Sequence, residues 1–304
     1  MQSCFVECCG REIHYTEWGA DAATPDKPIL IMWHGLTRCA RDFDIPAAHF
    51  SDAYRVICPD TLGRGLSQWA EDVEEYSVAS YAKHAGEFVN KVCGPTVQVD
   101  WLGTSMGGLI AWNACTKGGP LDGRIRRLLL NDIGPELNPE ALQVIAKYSG
   151  TPTVVEKFSQ FAAFVRGVYE PLVGPQPGDW FTTIAMHTCR RLPDGRLTTH
   201  YDPRCTKFIG DGAKAVSATD EPWREFDGCT AGEILSVRGG KSNLFLPEAH
   251  EKMLGRGLPR VRLETVPDVG HAPTFNNPSE LAIADSFFRA PATASAAAAA
   301  SPSS

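Results

Sequence analysis

The chain has 304 residues, 43% of them hydrophobic and 21% charged, ordinary globular proportions that exclude wholesale disorder and a fibrous repeat. At roughly 100–200 residues per domain this length allows two domains, or one large domain carrying an insertion. The 29 Lys and Arg against 36 Asp and Glu leave a net charge of −7, which lacks the basic footprint of a nucleic-acid binder, and no apolar run approaches the roughly 20 residues that span a bilayer.

Residues 1–7 show no basic stretch followed by an apolar one, so a secretory leader is not expected and the expected location is cytoplasmic. In a reducing compartment the ten cysteines, with no Cys-x-x-Cys pair among them, read as small buried hydrophobes. Residues 5–7 and 12–18 read as a hairpin around Gly10-Arg11. Ile29–Trp33 is a continuous apolar strand ending at His34-Gly35, and 55–58 is another, ending at Pro59-Asp60. Residues 78–93 carry helical spacing, 97–102 a strand ending at Gly103, 106–117 a helix, and 127–130 a strand ending at Asn131-Asp132. Strands alternating with helices of this length predict an α/β protein with a mostly parallel sheet flanked by helices on both faces. In such sheets ligands sit at the carboxyl ends of the strands.

The pattern changes after Pro135. Residues 136–226 read as helical and aromatic-rich, with Phe158, Phe161, Phe164, Tyr169, Trp180, Phe181 and Trp223, after which 234–237 and 261–266 resume the strand pattern. This predicts one core over 1–135 and 227–289, with a helical cap over 136–226 inserted after the sixth strand and lying over the strand ends. Residues 290–304, all Ala, Ser, Pro or Thr, have nothing large to bury and are expected to be disordered.

Three of the strand ends carry chemistry. Gly103-Thr104-Ser105-Met106-Gly107 is G-x-S-x-G between a predicted strand and a predicted helix. Small residues two before and two after the serine let the chain reverse sharply, which lifts the hydroxyl clear of the sheet at a helix N-terminus and marks Ser105 as a candidate nucleophile. Acyl transfer builds an oxyanion that needs preorganised donors. The N–H of Met106 and that of Leu36, in His34-Gly35-Leu36-Thr37, are the candidates, with Gly35 expected to permit close backbone approach. The His34 side chain reads as a structural hydrogen-bonder. Near the C-terminus, Gly270-His271-Ala272-Pro273 supplies the base that a serine needs near neutral pH.

With these motifs in hand, the chain resembles the α/β-hydrolase superfamily over residues 1–289. Within it, the chain is more closely similar to a bacterial group of capped serine hydrolases of broad esterase type. The resemblance rests on His34-Gly35-Leu36-Thr37-Arg38 with Arg41-Asp42-Phe43, Pro59-Asp60 with Gly63-Arg64-Gly65-Leu66-Ser67, Gly103–Gly108, Leu130–Pro135 and Gly270–Pro273. It implies the order nucleophile, cap, late histidine. It also places the acid that orients His271 in the loop after the strand at 234–237. Similar proteins carry Asp there, where this chain has Asn243, which can accept a hydrogen bond but brings no charge. Asp132, at the end of the preceding strand, is the leading replacement, since some members of the superfamily keep their acid there. Asn243 as a weaker orienter, Asp268, Glu248 and Glu136 stay open, and Asp60 reads as structural for its loop.

The resulting expectation is an enzyme that cleaves carboxylic esters of small or medium size through an acyl-enzyme, with no cofactor and no metal. Lactone opening, C–C bond hydrolysis and acyl transfer use the same machinery and stay open, as does a weakly active ligand-binding protein. The expected partner is a small-molecule ester, without nucleic acid and without a membrane span. Oligomeric state is not legible.

Overall fold

The structure, a computed structural model, describes residues 1–21, 24, 26–206, 209, 221–256 and 261–291. Eight strands form one sheet in the order β1-β2-β4-β3-β5-β6-β10-β11. They are β1 (Gln2–Cys8), β2 (Arg11–Trp18), β3 (Ile29–Trp33), β4 (Arg55–Pro59), β5 (Val99–Thr104), β6 (Ile125–Asn131), β10 (Glu233–Gly239) and β11 (Val261–Val266). β1 and β2 pair antiparallel at one edge, and from β4 to β11 all pairs are parallel.

Burial on both faces explains the unbroken apolar run of β3. Leu30 and Met32 pack on one side with Phe43, Phe50 and Phe287, while Ile31 and Trp33 pack on the other with Phe88, Trp101 and Ile110. The first face is covered by α1 (Asp44–Phe50) and α9 (Pro278–Phe288), the second by α2 (Val78–Val92) and α3 (Met106–Ala114). Trp33 and Trp101 stack with ring centroids 5.1 Å apart, one residue from each of two neighbouring central strands.

The sequence reading holds for the sheet and shifts at its margins. The hairpin turns at Cys9-Gly10 rather than Gly10-Arg11, because both residues adopt positive φ, 51° and 74°, as a two-residue hairpin turn requires. The helix after Ser105 stops at Ala114 instead of 117, ahead of the Gly118-Gly119-Pro120 stretch.

Between β6 and β10 lie α4 (Pro139–Ser149), α5 (Phe158–Val173), α6 (Trp180–Thr188) and α7 (Glu221–Asp227). The segment is not purely helical, as the sequence had implied. β7 (Val154–Val155), β8 (Cys189–Arg191) and β9 (Leu197–Thr199) form a small antiparallel sheet in the order β7-β9-β8. The Pro193-Asp194-Gly195 turn and the β-branched Thr198 and Thr199 account for it, Gly195 taking φ 90°. The insertion has its own small core of Phe161, Val165, Ile184 and Ala185. Tyr201, Cys205, Trp223 and Phe226 instead join the main core, so this segment is anchored to the sheet as well as to itself. α8 (Pro247–Lys252) follows β10. The expected tail lies, from residue 292 onward, outside the described residues. Among the described residues no helix is long and apolar enough to cross a membrane.

Candidate active site

Ser105 sits at the junction of β5 and α3 with φ 52° and ψ −118°. Such a conformation costs an L-residue of order 1–3 kcal/mol and is held only where the surroundings enforce it. Here the enforcement is steric. A Cβ added at Gly103 would lie 2.5 Å from the backbone of Gly107, and one added at Gly107 would lie 2.1 Å from the carbonyl oxygen of Trp33. Both glycines are therefore required for the β5–α3 turn to close against β3.

Gly35 is different from the expectation. A Cβ there would stand 3.6 Å from Ser105 Cβ, an ordinary contact. Glycine at this position keeps the space beside the hydroxyl open rather than permitting an unusually close approach.

His271, after β11, presents Nε2 at 3.0 Å from Ser105 Oγ. Its Nδ1 lies 2.7 Å from Asp132 Oδ2. Asp132 follows β6 with φ 51° and is fully buried, whereas His271 keeps 18% of its side chain exposed. The carboxylate also accepts from the Gly239 N–H at 2.7 Å and the Ser242 hydroxyl at 2.6 Å. Three donors therefore point at Asp132, and a carboxylate that accepts from the ring puts a proton on His271 Nδ1. Nε2 is left as the acceptor facing Ser105.

Asn243 is not part of this chain of contacts. It is exposed, and its backbone carbonyl accepts from Asn138 Nδ2 at 2.9 Å. Asp268 is 90% exposed and paired with Lys241, and Glu136 is paired with Lys252. Glu248 lies in the first turn of α8. Asp60 serves its own loop, accepting from the N–H groups of Ala40 and Leu66 and bonding His14. Sequence reasoning missed Gly239 and Ser242 as the groups that hold Asp132. A serine one residue before the unexpected Asn243 was the available signal.

The histidine loop is tied to its neighbours on two sides. Asn131 Nδ2 donates to Pro273 O at 2.8 Å, and the Gly270 N–H donates to Leu172 O of α5 at 2.7 Å. Around Ser105 opens a cavity of about 530 Å³. It is lined by Leu36, Met106 and His271 of the sheet ends and by Tyr148, Tyr169, Leu172 and Trp180 of the insertion. The N–H groups of Leu36 and Met106 make no hydrogen bond to another described residue.

Two buried histidines each accept from a backbone N–H of the loop after β4. His34 Nε2 accepts from the Thr61 N–H at 2.9 Å, so its proton is on Nδ1, which donates to Gly35 O at 2.6 Å. His200 Nδ1 accepts from the Gly65 N–H at 2.6 Å. Burial holds both pKa values down to about 4. The unfolded chain takes up these protons below about pH 6.5, while the folded chain resists them until about pH 4. Their contribution is thus complete above 6.5 and is lost as pH falls toward 4. The expected loss is about 2 kcal/mol per histidine by pH 5. Scanning calorimetry should show Tm falling steadily from pH 6.5 to 4.5, with a shallower fall in His200→Gln. A flat profile would contradict the neutral, buried assignment.

Fold and site together define a hydrolase, and comparison with known proteins agrees. The profile of the alpha/beta hydrolase family matches residues 30–284, and the chain belongs to that family. It is an enzyme, an ester hydrolase. It is similar to the 3-hydroxybutyrate-oligomer hydrolase of Cupriavidus necator, 37% identical over 293 residues, covering 93% of this chain and 96% of that protein. Among solved structures it resembles an alpha/beta hydrolase from Novosphingobium aromaticivorans, with TM-score 0.77, 28% identity, and coverage of 95% of this chain and 98% of the other. The fold is also that of E-2-(acetamidomethylene)succinate hydrolase, with TM-score 0.77, 19% identity, and coverage of 95% and 99%.

Proposed function

We propose that the chain is a serine esterase acting through an acyl-enzyme on short esters of hydroxy acids, of the 3-hydroxybutyrate-oligomer type. The single observation that carries the mechanism is the continuous path from Ser105 Oγ through His271 to the buried Asp132, at 3.0 Å and 2.7 Å. The substrate class draws its support from similarity over nearly the full length to a 3-hydroxybutyrate-oligomer hydrolase. The segment at 136–226 acts as the cap that shapes the pocket over the sheet ends.

In the proposed cycle Ser105 Oγ attacks the ester carbonyl while its proton passes to His271 Nε2. Asp132 stabilises the imidazolium and keeps the ring oriented. The N–H groups of Leu36 and Met106 receive the oxyanion. His271 returns the proton to the departing alkoxide, which leaves as the alcohol. A water then attacks the acyl-enzyme, giving its proton to Nε2, and collapse of the second tetrahedral intermediate restores Ser105 and frees the acid.

A fluorophosphonate probe tests this. The expected result is one covalent adduct, on Ser105 in the tryptic peptide 92–117, with loss of ester hydrolysis in step with labelling. The 3-hydroxybutyrate dimer should be cleaved to monomer by the unlabelled enzyme. An adduct on another residue, or undiminished hydrolysis after labelling of Ser105, would overturn the acyl-enzyme mechanism.

A further inference from the structure

Arg38 lies three residues beyond Gly35 and lines the same cavity as Ser105 and His271. It is the only Lys or Arg among the described lining residues. Its guanidinium is fixed on two sides. Nε and Nη2 each donate to Asp42 at 2.7 Å, and the Tyr169 ring lies 4.3 Å from Cζ. The Tyr169 hydroxyl is in turn 3.3 Å from Thr37 Oγ1. The third nitrogen, Nη1, has no hydrogen-bond partner among the described residues, although only 11% of the side chain is exposed.

A guanidinium donor with no protein partner beside a largely apolar cavity is free to bind an acceptor on whatever occupies that cavity. Asp42, which lines the same cavity, occupies the Nε/Nη2 edge and leaves Nη1 as the nitrogen without a described partner. Because the fork is already held in place, an incoming acceptor loses little side-chain freedom on binding. The side chain also starts near the serine: Arg38 Cγ and Ser105 Cβ stand 3.8 Å and 3.6 Å from one point, the place a side chain on Gly35 would begin.

We infer that Arg38 is a specificity-determining residue that binds the free carboxylate of the substrate, so the preferred substrate is an ester whose hydroxy-acid part ends in a carboxylate a few bonds from the scissile oxygen. This rests on the esterase reading above and narrows it to the terminal ester of a short oligoester. In a β-hydroxy acid a single CH2 separates the carboxylate carbon from the carbon bearing the ester oxygen, a short spacing that lets one cavity, lined by both Arg38 and Ser105, hold the carboxylate and the scissile ester together.

The test compares the 3-hydroxybutyrate dimer with its neutral terminal carboxamide, in wild type, Arg38→Gln and Arg38→Lys. Wild type is expected to favour the acid at least tenfold in kcat/KM. Arg38→Gln should shrink that ratio at least tenfold through the KM of the acid, and Arg38→Lys should restore part of it. General damage to the enzyme cancels in the ratio. An unchanged ratio in Arg38→Gln, or no acid preference in wild type, overturns the inference. Should Arg38→Gln not fold, product inhibition of wild type decides: 3-hydroxybutyrate must inhibit at least tenfold more tightly than 3-hydroxybutyramide, and equal inhibition overturns it. The esterase reading fails separately, through the absence of a Ser105 adduct. Turnover of p-nitrophenyl butyrate without discrimination between acid and amide would leave that reading standing and remove this one.

Discussion

Replacing Asp132 by asparagine is expected to lower kcat toward p-nitrophenyl butyrate by about 10³–10⁴-fold while the protein stays folded. Three donors converge on this carboxylate: His271 Nδ1, the Gly239 N–H and the Ser242 hydroxyl. An asparagine keeps the volume but turns an amide NH₂ toward at least one of them. If that one is His271, Nδ1 must become the acceptor, the proton moves to Nε2, and the ring no longer accepts from Ser105. The imidazolium also loses its compensating charge. Asn243→Ala and Asn243→Asp are expected to stay within about twofold of wild type, because Asn243 is exposed and bonded to Asn138 through its backbone carbonyl. Steady-state kinetics, with circular dichroism as the folding check, separate the two positions. Retention of kcat within tenfold in Asp132→Asn would remove Asp132 from the mechanism.

The contrast between these two residues shows what the sequence could carry. The strands were legible because their signals are local: the unbroken apolar run of β3 and the Gly-rich turns that end the parallel strands. The segments around Ser105 and His271 stood out for the same reason, since each is a short motif at a strand end. The neighbours of His271 were not local. Asp132 and Ser242 are 110 residues apart in sequence and meet only because β6 and β10 are parallel neighbours in the sheet. Strand order of that kind is a tertiary fact, and one sequence leaves it open. The small sheet β7-β9-β8 was hidden differently. Its strands are two or three residues long, too short for a period of two to show against the helical segments around them.

Arg64→Met is expected to reduce both stability and turnover. Arg64 is fully buried, and no carboxylate among the described residues pairs with it. Its Nε donates to Leu36 O at 2.8 Å, and Nη1 donates to Leu62 O at 2.7 Å and to the Tyr81 hydroxyl at 2.6 Å. Nη2 lies 3.6 Å from Met106 Sδ, and the Tyr81 ring is 5.0 Å from Cζ. One guanidinium thus touches both residues whose N–H groups are proposed to hold the oxyanion. Methionine fills much of the volume but takes the guanidinium donor from the Leu36 and Leu62 carbonyls, at about 1–3 kcal/mol each, partly offset by no longer burying a cation. A net loss of about 3 kcal/mol would lower Tm by roughly 5 °C in a protein of 304 residues. Release of the Leu36 carbonyl also lets its loop relax, moving a donor that acts only on the developing oxyanion. The predicted kinetic signature is therefore a fall in kcat of about 10–100-fold with KM little changed. Arg64→Lys should recover little of either effect, since one ammonium cannot reach acceptors spread across the fork. A wild-type kcat in a destabilised Arg64→Met would mean that the guanidinium supports the fold without setting the donor geometry.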